Sequence, residues 1–176
     1  MGCDAHFFLE KRIGRGKWHL DPSHRFAGTE PLEIPSLSGR SYQFFGIVAG
    51  VRERNVKRPI AEGRGLPADV SKVLEDFFKD DSYGFHSPTH LSPKELERAL
   101  KRYNTFIKKM DKSNINLFDA PADTAFLYQD IYRSDCRISG AIINYIRSNL
   151  DWERAENLLI GAKNKTEYRI VVWFDS

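Results

Sequence analysis

Residues 40–71 read RSYQFFGIVAGVRERNVKRPIAEGRGLPADVS, and the rest of the chain is organised around this stretch. It opens with a dense apolar run, Phe44 to Val51. A basic segment follows, and a glycine-rich turn at residues 63–67 then leads to a second segment of periodic apolar residues. The stretch therefore predicts two packed elements joined by a cationic loop. The basic residues of that loop are Arg52, Arg54, Lys57, Arg58 and Arg64.

The apolar run predicts a helix over residues 42–50 with Ser41 as its N-cap. A serine side chain at that position can accept a hydrogen bond from a backbone N–H of the first turn, which has no partner within the helix. An apolar run of this length is also typical of a buried strand, and Gly46 weakens a helix. We favour the helix. Pro67 is predicted to begin the next helix, because proline is well suited to the first helical position.

The two ends of the chain show the patterns of β-strands. Residues 5–12 alternate, with Phe7 and Leu9 on one face, and residues 17–20 predict a short return strand. Residues 168–174 are apolar on both faces, which is typical of an interior strand. We expect the terminal strands to pair with each other.

The middle of the chain reads as helical. Ser92 and Glu95 form a capping box with Pro93 at the first helical position, which is the most specific local signal in the sequence. Residues 80–91 are predicted to be a polar loop, and residues 121–159 to be largely helical. The predicted fold is α+β, a small antiparallel sheet of the N- and C-terminal strands packed against several helices. The predicted buried stripe of the capped helix is Leu96, Leu100, Tyr103 and Ile107.

Length and composition limit the classes of protein to which this chain can belong. The 176 residues suit a single domain spanning residues 1–176, and 41% hydrophobic and 29% charged residues are ordinary for a soluble globule. The net charge is only +3, which is too small to favour a nucleic-acid polymer as the partner. The cysteines, Cys3 and Cys136, form no paired motif, so a reduced, cytoplasmic protein is the simpler reading. A homo-oligomer is compatible with the sequence.

The sequence contains no signal for a membrane or for export. No apolar stretch reaches the ~20 residues of a membrane span. The N-terminus lacks a secretory hydrophobic region. Although the chain begins Met1-Gly2, His6 stands where a myristoylation signal needs serine or threonine. These features predict a cytoplasmic location and no membrane partner.

Five blocks of sequence resemble, in the same order, small uncharacterised proteins of tailed phages and prophages that begin MGCDIH. The resemblance implies a phage or prophage origin, and hence the cytoplasm of a host cell, and it carries no assigned activity. Phage accessory proteins of this size often modulate the host or counter its defences, which is an association with the class. The blocks are MGCDAH at 1–6, RSYQFFGIVAGVR at 40–52 (compare RNYxLFAxLAGVRN), RGLPADVS at 64–71 (PRGLPDDVS), HSPTHLS at 86–92 (HSxSWLT) and RIVVWFDS at 169–176 (ending FGFDN).

The basic residues predict an anion site. Guanidinium groups hold phosphate in bidentate fashion, and a helix N-terminus adds N–H donors and partial positive charge. Arg64 precedes the helix predicted at Pro67, so it is a candidate for such a site. A solvated basic loop, or pairing of the arginines with Asp69 and Glu62, is the plainer alternative. The predicted ligand-binding residues are Arg40, Tyr42, Arg52 and Arg64, with His6 and His86 nearby.

A second constellation predicts a metal site. Cys3, Asp4, His6 and His86 offer thiolate, carboxylate and imidazole ligands for zinc or another divalent metal, with His90 as a fifth candidate. Asp4 and His6 would share a face of one strand. No paired His or Cys motif accompanies them, and a polar group near a strand end that hydrogen-bonds to loops is the alternative.

His86 and Ser87 are a base and a hydroxyl in direct succession. Adjacent residues rarely present their side chains to each other, and no nucleophile-elbow glycine pattern surrounds Ser87. The sequence therefore disfavours a nucleophilic serine here.

Three functions follow from these patterns. The leading one is a cytoplasmic phage accessory protein that binds a phosphate-bearing small ligand and could sequester a host defence signalling nucleotide. The second is a metal-dependent hydrolase that uses Asp4, His6 and His86. The third is an inhibitor that binds a host protein through the proline-rich segment at residues 21–40.

Overall fold

The computed structural model describes residues 2–21, 41–53, 56–112 and 166–175. These residues contain four strands, three α-helices and a turn of 3₁₀-helix at Asp81–Tyr83. The strands are β1 (Ala5–Ile13), β2 (His19–Leu20), β3 (His86–Leu91) and β4 (Thr166–Phe174), and the helices are α1 (Tyr42–Ala49), α2 (Lys72–Phe78) and α3 (Pro93–Lys112).

The strands form one antiparallel sheet in the order β2-β1-β4-β3. β1 and β4 pair along their full length, from Ala5 opposite Phe174 to Ile13 opposite Thr166. The predicted α+β fold, with the terminal strands paired, is confirmed. β4 lies inside the sheet between β1 and β3, which explains why both of its faces are apolar.

The sheet is covered on both faces by helices. On one face Phe7, Leu9 and Val172 pack with α1 and α3 in the larger core. On the other face Phe8 and Trp173, both fully buried, pack with α2 in a smaller aromatic core. This division follows from the alternation of side chains along β1 and β4.

α1 forms as the sequence predicts. The Ser41 side chain accepts a hydrogen bond from the Phe44 N–H, and Gly50 ends the helix in the left-handed conformation (φ 73°) that glycine adopts without strain. Ile60 and Ala61 donate their backbone N–H groups to carbonyls in the last turns of α1. The segment after α1 thus folds back along the helix and satisfies carbonyls near its C-terminus.

α3 begins at the predicted capping box. Ser92 accepts from the Glu95 N–H at 3.3 Å, and its own N–H donates to the Glu95 carboxylate at 2.9 Å. Leu96 and Tyr103 of the predicted stripe are buried. Within the described ranges, no helix combines the length and apolar character that crossing a bilayer requires.

Two local predictions are wrong. The predicted loop at residues 80–91 contains the edge strand β3, whose side chains lack apolar alternation and which is interrupted by a bulge between His86 and Thr89. Pro67 lies in a turn, and α2 begins only at Lys72, with Ser71 as its N-cap. The predictions for residues 22–40 and 121–159 lie outside the described residues.

Candidate functional site

A hollow opens between α1, α3 and the basic segment. Its volume is about 560 Å³, within the roughly 300–1,000 Å³ of small-molecule sites. We call it the α1–α3 hollow, and it is lined by Gln43, Glu53, Val56, Lys57, Arg102 and Phe106.

The α1–α3 hollow combines cationic, amide and apolar groups. Lys57 and Arg102 bring two positive charges, and Glu53 brings one negative charge, so the lining carries a net positive charge. Phe106 and Val56 supply apolar surface, and Gln43 supplies an amide that can both donate and accept hydrogen bonds. Four of the six lining residues are polar or charged, so the hollow suits a polar, charged ligand with one apolar part.

Arg102 ties α3 to the basic segment. Its guanidinium donates to the carbonyls of Arg58 at 2.9 Å and Lys57 at 3.1 Å. This contact holds the backbone of residues 57 and 58 against α3, so the basic segment and α3 stay together at the hollow. Arg58 itself has a left-handed backbone (φ 55°), which is uncommon for a residue with a side chain.

Gly46 lets the basic segment approach α1. A Cβ atom at this position would lie 2.6 Å from the Glu53 Cβ and 3.0 Å from a methyl carbon of Val56. Both neighbours line the hollow. The glycine that weakens a helix in the sequence therefore has a packing reason, since only a residue without a side chain allows this close contact.

The predicted ligand-binding residues separate into different places. Tyr42 begins α1, next to Gln43 of the hollow, and its ring meets Phe45 edge-on at 5.8 Å. Arg52 is exposed and contacts Cys3 at one end of the sheet. Arg40 lies outside the described residues.

Arg64 is held by the protein itself. Its guanidinium donates to both carboxylate oxygens of Glu95, at 2.7 and 3.0 Å, and to the carbonyls of His90 and Ile60 at 3.0 Å. Glu95 belongs to the first turn of α3, so the anion that Arg64 binds at a helix N-terminus is a side chain of this chain. His86 pairs with Phe174 and His90 with Val171, three residues apart on β4, so the His90 carbonyl that Arg64 binds lies about 10 Å along the sheet from His86.

The contact with Arg64 lowers the pKa of Glu95 from 4.5 to about 2. The pair therefore stabilises the fold above pH 4.5, and this contribution disappears as the pH falls towards 2. In Glu95→Gln the free energy of unfolding should be about 1–2 kcal/mol lower at neutral pH, a value reduced for solvent screening of a partly exposed pair. Urea unfolding at several pH values should show the difference between wild type and variant closing near pH 2. A difference that stays constant with pH would contradict this role.

Most of the predicted metal constellation meets at the end of the sheet. Asp175 joins it: its carboxylate accepts from the Asp4 N–H at 2.7 Å and lies 3.4 Å from Nε2 of His6. The carbonyl of Asp175 lies 3.1 Å from Nε2 of His86. We call Cys3, Asp4, His6, His86 and Asp175 the sheet-end cluster.

Cys3 is a buried thiol within the sheet-end cluster. Burial raises its pKa above the ordinary value, and a hydrogen bond from the Arg52 guanidinium offsets part of that rise. The side chain has no exposed surface. Cys3 therefore packs as a small core residue, and the exposed Arg52 beside it has a left-handed backbone (φ 63°).

The described residues do not show the arrangement of ligands that the metal prediction requires. Among the described residues, no group of three or more His, Cys, Asp or Glu side chains is arranged to hold a metal ion. His90, the fifth candidate, has its Nδ1 3.3 Å from the carbonyl of Gly65. Metal ligation by Cys3, Asp4, His6 and His86 stays a prediction.

Sequence reasoning did not single out several of these residues. Arg102 and Phe106 lie four residues apart on α3, so they share a face, and that spacing next to a basic loop is a signal that the sequence does contain. Asp175 follows the last strand and lacks any motif of its own. Its partners lie far away in the sequence, 171 residues for Asp4 and 89 residues for His86.

The chain was compared with known protein families, with curated proteins and with solved structures, and none of the three comparisons found a match.

Proposed function

We propose that this protein binds a phosphate-bearing small molecule, a nucleotide, in the α1–α3 hollow. The observation that carries the proposal is a hollow of about 560 Å³ with two cations and an aromatic ring in its lining. Such a volume accommodates a ligand of nucleotide size.

Lys57 and Arg102 form the phosphate end of the proposed site. A guanidinium has five N–H donors, so the two carbonyl bonds of Arg102 leave further donors for phosphate oxygens. The ammonium of Lys57 is exposed and adds a mobile positive charge. Charge-assisted hydrogen bonds of this kind are the strong ones, which makes these two residues the main source of affinity.

Phe106 and Gln43 form the base end. An aromatic ring stacks on any nucleobase, and such stacking contributes about 1–3 kcal/mol per base. The Gln43 amide can pair with a base edge, because it carries both donors and an acceptor. Glu53 also lines the hollow, and its carboxylate disfavours ligands that bring several negative charges close to it.

The proposed biological role rests on the resemblance to phage proteins together with this site. A phage accessory protein without an enzymatic step can act by sequestering a signalling nucleotide of the host. Sequestration needs affinity alone, and the α1–α3 hollow offers the groups for it. The inhibitor of a host protein and the metal-dependent hydrolase remain predictions from the sequence.

Isothermal titration calorimetry of the whole chain tests the proposal. The panel consists of ATP, cyclic AMP, a cyclic dinucleotide, adenosine and inorganic phosphate. We expect at least one nucleotide to bind more tightly than adenosine or phosphate alone, because it engages both ends of the hollow. Lys57→Ala should weaken that binding about ten- to hundredfold, the effect of losing one charge-assisted contact.

Lys79→Ala is the matched control. Lys79 lies at the end of α2, on the opposite face of the sheet, and pairs with Glu75. This variant removes the same charge far from the hollow and should bind the nucleotide as the wild type does. No heat with any member of the panel would overturn the proposal, and so would an equal loss in both variants, which would indicate general charge attraction.

A further inference from the structure

His86 of the sheet-end cluster forms a pair with Ser87 that the nucleotide proposal does not use. His86 Nδ1 lies 2.9 Å from Ser87 Oγ, and His86 Nε2 lies 3.1 Å from the carbonyl of Asp175. The expectation that these adjacent side chains do not meet is wrong. The bulge after His86 and the left-handed backbone of Ser87 (φ 49°) turn the two side chains towards each other.

The hydrogen bonds fix the tautomer of His86. A carbonyl oxygen can only accept, so Nε2 of the neutral ring carries the proton and donates it to Asp175. Nδ1 then holds a lone pair directed at the Ser87 hydroxyl. This is the arrangement of a general base next to a nucleophile, with a third group orienting the base.

The scaffold around the pair is firmly held. The Asp175 backbone N–H donates to the Asp4 carbonyl at 3.1 Å, while the Asp4 N–H donates to the Asp175 carboxylate. The orienting carbonyl therefore has a fixed position. The His86 ring also stacks on Phe174, with 6.2 Å between ring centroids and 28° between planes.

The Ser87 side is open to solvent, while His86 is half-buried. A substrate can thus reach the hydroxyl without displacing the base. A residue with a side chain rarely keeps a positive φ, and strain of this kind is commonly retained at functional positions.

We propose that Ser87 is an activated nucleophile and that the sheet end hydrolyses esters of small acyl groups. Ser87 Oγ attacks the ester carbonyl carbon and its proton passes to His86 Nδ1. The carbon–oxygen bond to the leaving alcohol then breaks, and that alcohol takes the proton from His86. Water repeats the sequence on the acyl-serine and releases the acid. This inference is independent of ligand binding in the α1–α3 hollow.

Labelling with a fluorophosphonate, followed by peptide mass spectrometry on the folded whole chain, tests the proposal. Ser82 and Ser92 are internal controls, since both are exposed and both hydroxyls contact a carboxylate instead of an imidazole. We expect Ser87 to be labelled at least about tenfold faster than either. His86→Gln should slow labelling of Ser87 about a hundredfold, the lower end of the effect of a general base.

Hydrolysis of p-nitrophenyl acetate gives a second readout. Ser87→Gly removes the nucleophile while it relieves the backbone strain, so it should fold at least as well as the wild type and lose the activity. Labelling of Ser87 at the rate of Ser82 and Ser92 would overturn the proposal. A His86→Gln variant that circular dichroism shows to be folded and that is labelled as fast as the wild type would also overturn it. In that case the contact between His86 and Ser87 would only stabilise the bulge.

Discussion

Replacing Arg169 by alanine should lower the free energy of unfolding by about 3–5 kcal/mol. Arg169 is 8% exposed and donates to the fully buried carboxylate of Glu10 at 2.6 Å. It also binds the Asp69 carboxylate at 2.5 Å and lies over the Trp18 ring, 4.1 Å from its centroid. The other oxygen of Glu10 accepts from the Ser71 N–H at the start of α2. The arginine thus joins β1, β4 and the α2 entry.

The expected loss arises because the variant leaves the Glu10 charge buried without its counter-ion. Replacing both partners by apolar residues, Glu10→Leu with Arg169→Met, should therefore cost less than Arg169→Met alone. Urea unfolding of the two single variants and the double variant measures this coupling. The control is Lys72→Ala, which breaks an exposed pair with Asp76 and should leave the unfolding midpoint unchanged. If Arg169→Ala were as mild as Lys72→Ala, the network would not hold the sheet as described.

Gly46→Ala should destabilise the protein by about 1–3 kcal/mol, the cost of forcing a methyl group into a close-packed contact. The sign of the change in the free energy of unfolding distinguishes this contact from helix propensity. Helix propensity alone would make the alanine variant more stable, by up to about 1 kcal/mol. The contact with Glu53 at 2.6 Å predicts the opposite, because that Cβ atom belongs to the neighbouring segment and its backbone must move.

The same substitution should also disturb the α1–α3 hollow. Glu53 and Val56 are the neighbours that the new methyl group displaces, and both line it. Gly46→Ala should thus reduce nucleotide affinity at temperatures where the variant is still folded. Thermal unfolding and calorimetry on the same sample check both effects. A variant more stable than the wild type would contradict the close approach of the basic segment to α1.

Much of the fold could be predicted because its signals are local. Ser41 and Gly50 mark both ends of α1, and the capping box at Ser92 marks the start of α3. The apolar alternation at the chain ends places β1 and β4. β3 was not predicted because an edge strand next to a bulge needs no apolar alternation. α2 starts later than Pro67 because the segment at residues 67–71 is bound to the sheet by Glu10 and Arg169.

The candidate sites were harder to predict, since their residues meet only through tertiary contacts. The sequence identifies the basic segment, but it cannot show that Arg64 pairs with Glu95, 31 residues later, or that Arg102 binds the Lys57 carbonyl and that both residues line one hollow. His6 and His86 were singled out together, and the structure does bring both to Asp175. The contact between His86 and Ser87 depends on a bulge that no pattern in the sequence predicts.

Nuclear magnetic resonance titration of the ¹⁵N-labelled chain tests the central claim most directly. The ligand is the nucleotide that gives the largest heat in calorimetry, or ATP if none does. The account predicts saturable shifts of the backbone amides at Gln43, Lys57 and Phe106, with the amides of α2 unchanged on the other face of the sheet. Shifts that are absent, or that fall on α2 and the sheet-end cluster instead of the hollow, would contradict it.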